Sequence, residues 1–293
     1  MSFGLSDTYS PLRRVILRRP SSINPPDVSW AHWGYPSPRD PMVARQEHQA
    51  YATLLGSFGV EVHTLETDDP ALIDACFACD PMVMTPFGAV LFHMGKVGRR
   101  GEDTQLRAQL KAMGIPILGE VKAPGTMEGG DLIWLGGRRL AVGIGHRTNP
   151  EGFKQLSALL ASHHIALRPV ELPWHTGPKH CLHLGSLLNL LGPDLAMVHR
   201  PLLSAQFCRE LENGGYRLID ACPEEFHSQG NNILALAPRK VLMPEGNPVT
   251  QSRLEQEGVE VHTFRGDELC IKGTGGPTCL TQCLYRDHET PSP

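Results

Sequence analysis

Apolar and polar positions alternate along the chain in an order that repeats about every fifty residues. Residues 59–66 (GVEVHTLE) and 258–265 (GVEVHTFR) are nearly identical, and each follows a run with helical spacing. Their alternating apolar positions predict a short strand in each segment. Similar passages from helix to strand begin at residues 114, 164 and 215. The pattern therefore predicts five related units.

A pair of apolar runs joined by a turn precedes the helix of each unit. Complete pairs occupy residues 83–92, 132–142, 187–198 and 233–243. Gly, Pro and Asp at the junctions supply the backbone angles of a tight hairpin. The first unit has only residues 13–20, so we expect the last run, 279–286, to complete its hairpin and close a ring. Leucines at helical spacing mark several of the helices, which are predicted at 41–58, 102–113, 151–163, 203–214 and 248–258.

Five pseudo-symmetric ββαβ units predict a closed five-bladed α/β propeller, with helices outside and strands around a central channel. No linker composition divides the chain, so we expect residues 1–293 to form one domain. An open two-domain α/β protein is the alternative arrangement.

Composition and charge narrow the class of protein further. A content of 41% apolar and 20% charged residues is that of a globular protein. The net charge of −4 offers no basic surface for nucleic acid or membrane. No apolar run approaches a bilayer span, and the first residues lack a signal-peptide core. We therefore expect a cytoplasmic protein whose eight cysteines are mostly reduced.

Residues able to do chemistry recur just before the predicted hairpins. They are Asp80, Glu128, His183, the pair Asn231–Asn232, and Cys279 in the fifth unit. Pseudo-symmetry would direct all of them into one cavity. Singly, each has an ordinary explanation as a core, turn or surface residue, and their shared position is what argues for a site.

The residue types indicate the chemistry. Cys279 is a nucleophile if it ionises, and the glycine-rich residues 272–278 leave its approach open. Asp80 and Glu128 suit a planar cation with several N–H donors. His183 can protonate a departing amine and deprotonate water. The substrate that this combination predicts is a guanidinium.

A zinc site is the alternative use of the same residue types. Cys76 and Cys79, together with His180, Cys181 and His183, have spacings found among zinc ligands. Because no second Cys-x-x-Cys pair is present, we expect neither a metal nor another cofactor. Cys279 and Cys283 would lie on one face of a strand without forming a disulfide.

With these motifs, nearly the whole chain resembles the guanidino-modifying (pentein) superfamily, and within it the dimethylarginine dimethylaminohydrolases. The motifs are residues 99–102 (RRGE), 123–131 (APGTMEGGD), 143–149 (GIGHRTN), 183–186 (HLGS) and 275–279 (GGPTC). The resemblance implies a cysteine hydrolase that converts a methylated arginine or related guanidino acid to citrulline, or another ureido acid, and an amine. Its partner would be that small molecule, and a homodimer is the candidate assembly.

The resemblance also implies a role for each matching residue. Cys279 would be the covalent nucleophile, His183 the general acid and base, and Glu128 the acid that pairs with His183 and the guanidinium. Asp80 would bind guanidinium nitrogens, whereas Arg99 and Arg147 would bind the α-carboxylate of the substrate.

Two departures keep other functions open. Gly185 stands where arginine deiminases and amidinotransferases usually carry an aspartate, and Cys79 where some dimethylargininases carry an acid. An amidinotransferase, an arginine deiminase and a non-enzymatic binding protein with the same fold are the alternatives. Residues 21–40 lack periodicity and are expected to form a loop over the channel mouth or a packed surface segment.

Overall fold

The computed structural model of the protein describes residues 2–26, 28–67, 69–177 and 180–287. Within these ranges, fifteen strands form five three-stranded sheets. The strands are β1 (Leu12–Arg18), β2 (Glu61–Leu65), β3 (Met82–Thr85), β4 (Gly88–Leu91), β5 (Ile117–Glu120), β6 (Leu132–Trp134), β7 (Arg139–Ile144), β8 (Ala166–Glu171), β9 (Leu188–Leu190), β10 (Leu195–Val198), β11 (Arg217–Asp220), β12 (Leu234–Ala237), β13 (Lys240–Pro244), β14 (Glu260–Phe264) and β15 (Gln282–Arg286).

All five sheets share one topology. The middle strand pairs antiparallel with the strand of its hairpin and parallel with the strand that follows the helix, as β4 does with β3 and β5. Hairpins have short connections, whereas a parallel partner requires a crossover, and a helix supplies it in every unit. The repeated ββαβ order predicted from the sequence is confirmed.

The ring closes between the two ends of the chain. β1 pairs antiparallel with β15, with Ile16 opposite Gln282, and parallel with β2, with Val15 opposite Val62. The last strand therefore completes the sheet of the first unit, as the incomplete hairpin at residues 13–20 predicted. The fold is a five-bladed α/β propeller.

The five crossover helices lie near their predicted bounds. The helices are α1 (Trp30–Trp33), α2 (Pro41–Ser57), α3 (Asp103–Ala112), α4 (Pro150–Leu160), α5 (Ala205–Asn213), α6 (Pro248–Gln256) and α7 (Pro277–Leu280). Proline occupies the first turn of α2, and the Asp40 side chain accepts hydrogen bonds from the first free backbone N–H groups. Asn149 caps α4 in the same way, so these starts are encoded locally. No helix in the described residues is long and apolar enough to cross a bilayer.

The strands near the centre are buried on both faces. Every residue of β3, β4 and β10 is buried, because neighbouring sheets cover one face and helices the other. Hydrogen bonds also join adjacent units, since Trp134 Nε1 donates to Met84 O over 3.0 Å. The Arg286 guanidinium donates to Ala235 O over 2.8 Å, which ties the closing strand to the fifth sheet.

One predicted strand begins later than expected. Residues 277–280 form the short helix α7 rather than strand, and β15 starts at Gln282. Pro277 stands at the first helical position, and the Thr278 hydroxyl donates to Ile233 O over 2.8 Å, so the turn is fixed before the strand begins. The expectation that strand alternation places Cys279 and Cys283 on one face was therefore wrong. All eight cysteines are free.

Part of the segment 21–40 packs beside the cavity described below, and residue 27 is outside the described residues. It contains the short helix α1, and the ring of Trp33 lies so close to Gly98 that a Cβ at residue 98 would come within 2.4 Å of it. Trp33 and Gly34 line the cavity described below, so this segment borders the channel mouth.

Candidate active site

The six residues predicted to carry the chemistry line one cavity. They are Asp80, Arg99, Glu128, Arg147, His183 and Cys279. Side chains without a predicted role in the guanidinium chemistry also line it, among them Trp33, Asp74, Lys96 and Cys181. All six predicted residues therefore lie around the same space.

The repeated fold explains this convergence. One polar or reactive residue stands before the first strand of each sheet, namely Asp80 before β3, Glu128 before β6, His183 before β9, Asn232 before β12 and Cys279 before β15. Because β15 pairs with β1, Cys279 belongs to the sheet of the first unit and not to the fifth unit, where the sequence analysis placed it. Because the units are arranged as a closed ring, equivalent positions point to the same central space. The position of each residue in its unit, rather than its neighbours in sequence, brings the group together.

His183 and Glu128 form a buried hydrogen-bonded pair. His183 Nε2 lies 2.9 Å from Glu128 Oε2, and both side chains are at most 3% exposed. Burial opposes the charge on His183, but the pKa of its imidazole is raised well above its usual range by Cys181, Asp80 and Asp131. The imidazole is therefore held as an imidazolium that can give up a proton.

The second oxygen of Glu128 is held from another side. Glu128 Oε1 accepts the backbone N–H of Lys96 over 2.8 Å, and Arg147 Nη1 lies 3.5 Å away. Burial alone would raise the pKa of Glu128, but the hydrogen bond with His183 and the charge of Arg147 lower it well below its usual range. Glu128 is thus a carboxylate at neutral pH.

Asp80 is fixed by three donors. Its Oδ2 accepts from Arg99 Nη1 in a short contact, and its Oδ1 accepts the Gly130 N–H over 2.9 Å and the Cys79 thiol over 3.3 Å. Asp80 Oδ1 also lies 3.8 Å from His183 Nδ1. The carboxylate consequently lies against the imidazole on the side away from Glu128.

Arg99 is largely engaged inside the protein. Its Nε and Nη2 donate to the two oxygens of Glu102 over 2.9 and 2.8 Å, and Nη2 also donates to Phe77 O over 2.8 Å. With the contact to Asp80, one N–H of the guanidinium remains uncommitted. These bonds favour a role in positioning Asp80 over the carboxylate binding that the family resemblance implies.

Arg147 has its guanidinium at the cavity with few internal partners. Among the described residues, the ion pair with Glu128 at 3.5 Å is its one ionic contact. The side chain is 6% exposed, so its charge is screened little by solvent. A shielded guanidinium that keeps most of its N–H donors uncommitted is suited to an anionic group of a ligand.

Cys279 carries a thiol with two hydrogen-bonding neighbours. Asn232 Nδ2 donates to its Sγ over 3.1 Å, while Asn232 Oδ1 accepts the Thr278 N–H over 3.1 Å. The pKa of the Cys279 thiol is lowered by the neighbouring Cys79 thiol and by Asn232 and His183, although burial and Asp80 oppose this. Cys279 therefore ionises more readily than an ordinary thiol, at the point where the cavity can receive a substrate.

Replacing Asn232 with alanine is expected to raise the pKa of Cys279 by about one unit, because a hydrogen bond to an ionised group is lost. The pH dependence of alkylation of Cys279, followed by mass spectrometry of its peptide, measures this. Asn231→Ala is the matched control, since Asn231 donates its amide to Ser186 O over 2.8 Å. An unchanged midpoint in Asn232→Ala would show that the amide does not act on the thiol.

Two glycines let the backbone pass beside the catalytic groups. A Cβ at Gly129 would lie 2.1 Å from Cys79 O, and one at Gly130 would lie 2.2 Å from His183 Nδ1 and 3.0 Å from Asp80 Oδ1. The imidazole thus packs directly on the backbone at Gly130. This close approach is a physical reason for the pair of glycines after Glu128.

Gly130→Ala is expected to lower kcat by about a hundredfold or more, because the added methyl displaces His183 from Glu128 by roughly an ångström. Gly56→Ala is the control, since its Cβ on α2 would meet nothing within 4 Å. Steady-state kinetics and circular dichroism of both variants make the comparison. Wild-type kcat in Gly130→Ala would contradict this geometry.

Several residues of the site carried no recognisable signal in the sequence. Lys96 and Asp74 are 22 residues apart and pair only in the fold, and Asp131 holds the His183 turn by accepting the Leu184 N–H over 3.1 Å. Burial raises the pKa of Asp131 to about 6, despite His183 and Thr148. The repeated position in each unit did identify Asn232 from the sequence, but it gave no indication that its side chain would bond to Cys279.

Glu128, Cys181 and His183 offer ligand atoms that all lie within 4.8 Å of one another. A thiolate, an imidazole and a carboxylate are a donor set that zinc accepts. Among the zinc ligands proposed from the sequence, Cys181 and His183 therefore lie close together. Cys76 is instead buried beside Arg39, and Arg39 Nη1 donates to Cys76 Sγ over 3.5 Å.

Comparison with known sequences agrees with this site. The model of the family described as N,N dimethylarginine dimethylhydrolase, eukaryotic, matches residues 39–279, which include all six predicted site residues. The chain belongs to this family. It is accordingly an enzyme, a hydrolase of carbon–nitrogen bonds in linear amidines, and the non-enzymatic alternative falls away.

Individual proteins of known sequence or structure are also similar to this chain. The chain is 28% identical over 270 residues to the N(G),N(G)-dimethylarginine dimethylaminohydrolase of Pseudomonas aeruginosa, an alignment that covers 92% of this chain and 98% of the relative. A solved dimethylarginine dimethylaminohydrolase, in an adduct with 4-chloro-2-hydroxymethylpyridine, has 25% identity and a TM-score of 0.74, covering 94% of this chain and all of that one. An amidinotransferase of saxitoxin biosynthesis from Microseira wollei has a TM-score of 0.83 at 17% identity over 99% of each chain, which is a likeness of fold.

Proposed function

We propose that this enzyme hydrolyses an N-substituted, methylated arginine or a related guanidino acid through a covalent intermediate on Cys279. The products are a ureido acid, citrulline in the case of an arginine, and an amine. The observation that carries the proposal is the position of the Cys279 thiol, beside Asn232 and in the same cavity as the His183–Glu128 pair and Asp80.

The first half-reaction forms a carbon–sulfur bond. The Cys279 thiolate adds to the guanidinium carbon, which neutralises the positive charge of the substrate in a tetrahedral adduct. The imidazolium of His183 gives a proton to the substituted nitrogen, the carbon–nitrogen bond breaks, and a neutral amine leaves. A cationic S-alkylthiouronium remains on Cys279, and Glu128 keeps the neutral imidazole in place.

The second half-reaction returns the enzyme to its starting state. Neutral His183 takes a proton from water, and the hydroxide adds to the thiouronium carbon. The carbon–sulfur bond then breaks and Cys279 leaves as a thiolate, which its lowered pKa makes a good leaving group. The new ureido oxygen loses its remaining proton to solvent, so the imidazolium and thiolate are both restored.

Asp80 and Glu128 supply the negative charge that a guanidinium requires. Both carboxylates are buried, and they approach His183 from its two sides. We assign Arg147 to the carboxylate of the substrate because its guanidinium faces the cavity with donors to spare. Arg99 holds Asp80 by the short contact with its Oδ2 and so acts as a positioning residue.

Product analysis tests this proposal. The protein is incubated with Nω,Nω-dimethylarginine, Nω-methylarginine, arginine and guanidino acids of several lengths, with and without glycine as an amine acceptor. Formation of a ureido product and free amine without an acceptor is the expected result. A product that requires the acceptor would instead identify an amidinotransferase, and no conversion of any compound would refute the proposal.

A further inference from the structure

A second ion pair lines the cavity, and the chemistry just described does not use it. Lys96 Nζ donates to Asp74 Oδ2 over 2.5 Å and to Trp33 O over 2.9 Å. The same ammonium lies over the Trp33 ring, 4.6 Å from its centroid. The two paired side chains are 19% and 7% exposed, so the pair is shielded from bulk water.

Both oxygens of Asp74 are occupied. Oδ2 accepts from Lys96, and Oδ1 accepts the hydroxyl of Tyr35 over 3.0 Å. Its negative charge is therefore neutralised within the protein. A cationic group of a ligand that reached this carboxylate would have to share it with the ammonium of Lys96, in a poorly solvated space where the two like charges repel.

Lys96 is next to the residue assigned to the carboxylate of the substrate. The Lys96 N–H and Arg147 Nη1 approach the same oxygen of Glu128, over 2.8 and 3.5 Å. Gly95 also packs on the Arg147 backbone, since a Cβ there would lie 2.3 Å from Arg147 O. A substrate carboxylate on Arg147 would therefore lie in the same cavity as the Lys96 side chain.

The charges at the cavity wall favour an anion in this place. The carboxylates that line it are Asp74, Asp80 and Glu128. Asp74 is neutralised by Lys96, while Asp80 and Glu128 serve the guanidinium end. An α-ammonium would meet the cations of Lys96 and Arg147 without a free carboxylate, and unpaired like charges at a shielded site oppose binding.

We infer that the substrate is a guanidino acid whose carboxylate has no neighbouring ammonium group, and that Lys96 determines this specificity. The inference rests on the proposed function, because it assumes that the guanidinium carbon lies at Cys279 and the carboxylate at Arg147. A des-amino guanidino acid keeps the guanidinium and the carboxylate, which the site binds, and lacks the α-ammonium, which the cations of the cavity repel.

Two matched pairs of compounds test the inference on the intact protein. They are arginine with 5-guanidinopentanoate, and Nω,Nω-dimethylarginine with its des-amino analogue. In any pair that is turned over, kcat/KM is expected to favour the des-amino member by about tenfold or more. Equal values, or a preference for the amino acid, would overturn the inference and leave the proposed hydrolysis standing.

Lys96→Gln sharpens the comparison. The change frees the Asp74 carboxylate, so the preference for the des-amino compound is expected to fall by about tenfold or to reverse. Lys96→Arg keeps the charge and should retain the wild-type preference. Lys122→Gln, at an exposed lysine paired with Glu120 over 2.9 Å, is the matched control for loss of a lysine.

The outcomes separate the two claims. A ratio that is the same in wild type, Lys96→Gln and Lys96→Arg shows that Lys96 does not set specificity. Failure of all four compounds, with no labelling of Cys279 by the alkylating amidine 2-chloroacetamidine, refutes the proposed function and the inference with it. If Lys96→Gln does not fold, the matched pairs on the wild-type protein still decide the substrate class.

Discussion

Cys279→Ser is expected to lower kcat by at least about four orders of magnitude, because a serine hydroxyl does not ionise in the range where the thiol does. The hydrogen bond from Asn232 would still reach the side chain, at 3.1 Å in the native protein, but would find no anion to stabilise. Substrate binding should be retained, since Asp80, Glu128 and Arg147 are unchanged. Calorimetric titration with a guanidino acid and steady-state kinetics together measure both effects.

Cys222→Ser provides the matched control. The Cys222 thiol follows β11 in the fourth unit and does not line the cavity. It donates to Glu224 over 3.1 Å, and a serine hydroxyl can make the same bond. Its kcat should equal that of the wild type. Activity in Cys279→Ser within tenfold of the wild type would require a different nucleophile.

His183→Ala is expected to lower kcat by about three orders of magnitude, because the same imidazole protonates the leaving amine and activates water. The two losses can be separated with S-methylthiocitrulline, whose methanethiolate leaves without a proton. With that compound the first half-reaction should proceed and the thiouronium should accumulate. Mass spectrometry of the intact protein then detects a stable adduct.

The control for this variant is His262→Ala. His262 is a partly exposed imidazole whose Nε2 lies 2.7 Å from Glu260 Oε1, a local arrangement similar to that of His183 and Glu128 but outside the cavity. It should turn over both classes of compound at the wild-type rate. Rapid turnover of S-methylthiocitrulline by His183→Ala, with no adduct, would remove His183 from the hydrolytic step.

The ring of five units could be predicted because each unit repeats the same order of elements. The strands at residues 59–66 and 258–265 share nearly the same residues, and the missing hairpin strand of the first unit pointed to closure by the last. Convergence of Asp80, Glu128 and His183 follows from that ring. The position of a residue within its unit predicted this convergence better than the residues next to it in sequence.

Other features depend on contacts between distant parts of the chain, which a single sequence does not reveal. Arg99 bonds to Glu102 and Phe77 inside the protein and so differs from Arg147 in its proposed role, although both arginines match the family motifs. The start of β15 at Gln282 depends on Thr278 and Ile233, which are 45 residues apart. The pairing of Lys96 with Asp74 likewise joins distant positions, and Trp33 O, in the segment 21–40, accepts a further hydrogen bond from Lys96.

Mass spectrometry of the wild-type enzyme, quenched with acid during turnover, tests directly for the covalent intermediate on Cys279. We expect a transient peptide containing Cys279 whose mass rises by that of the substrate less that of the released amine. The adduct should disappear as product forms and should be absent in Cys279→Ser. Turnover with Cys279 unmodified throughout, or with the adduct on Cys79 or Cys181 instead, would show that Cys279 is not the nucleophile.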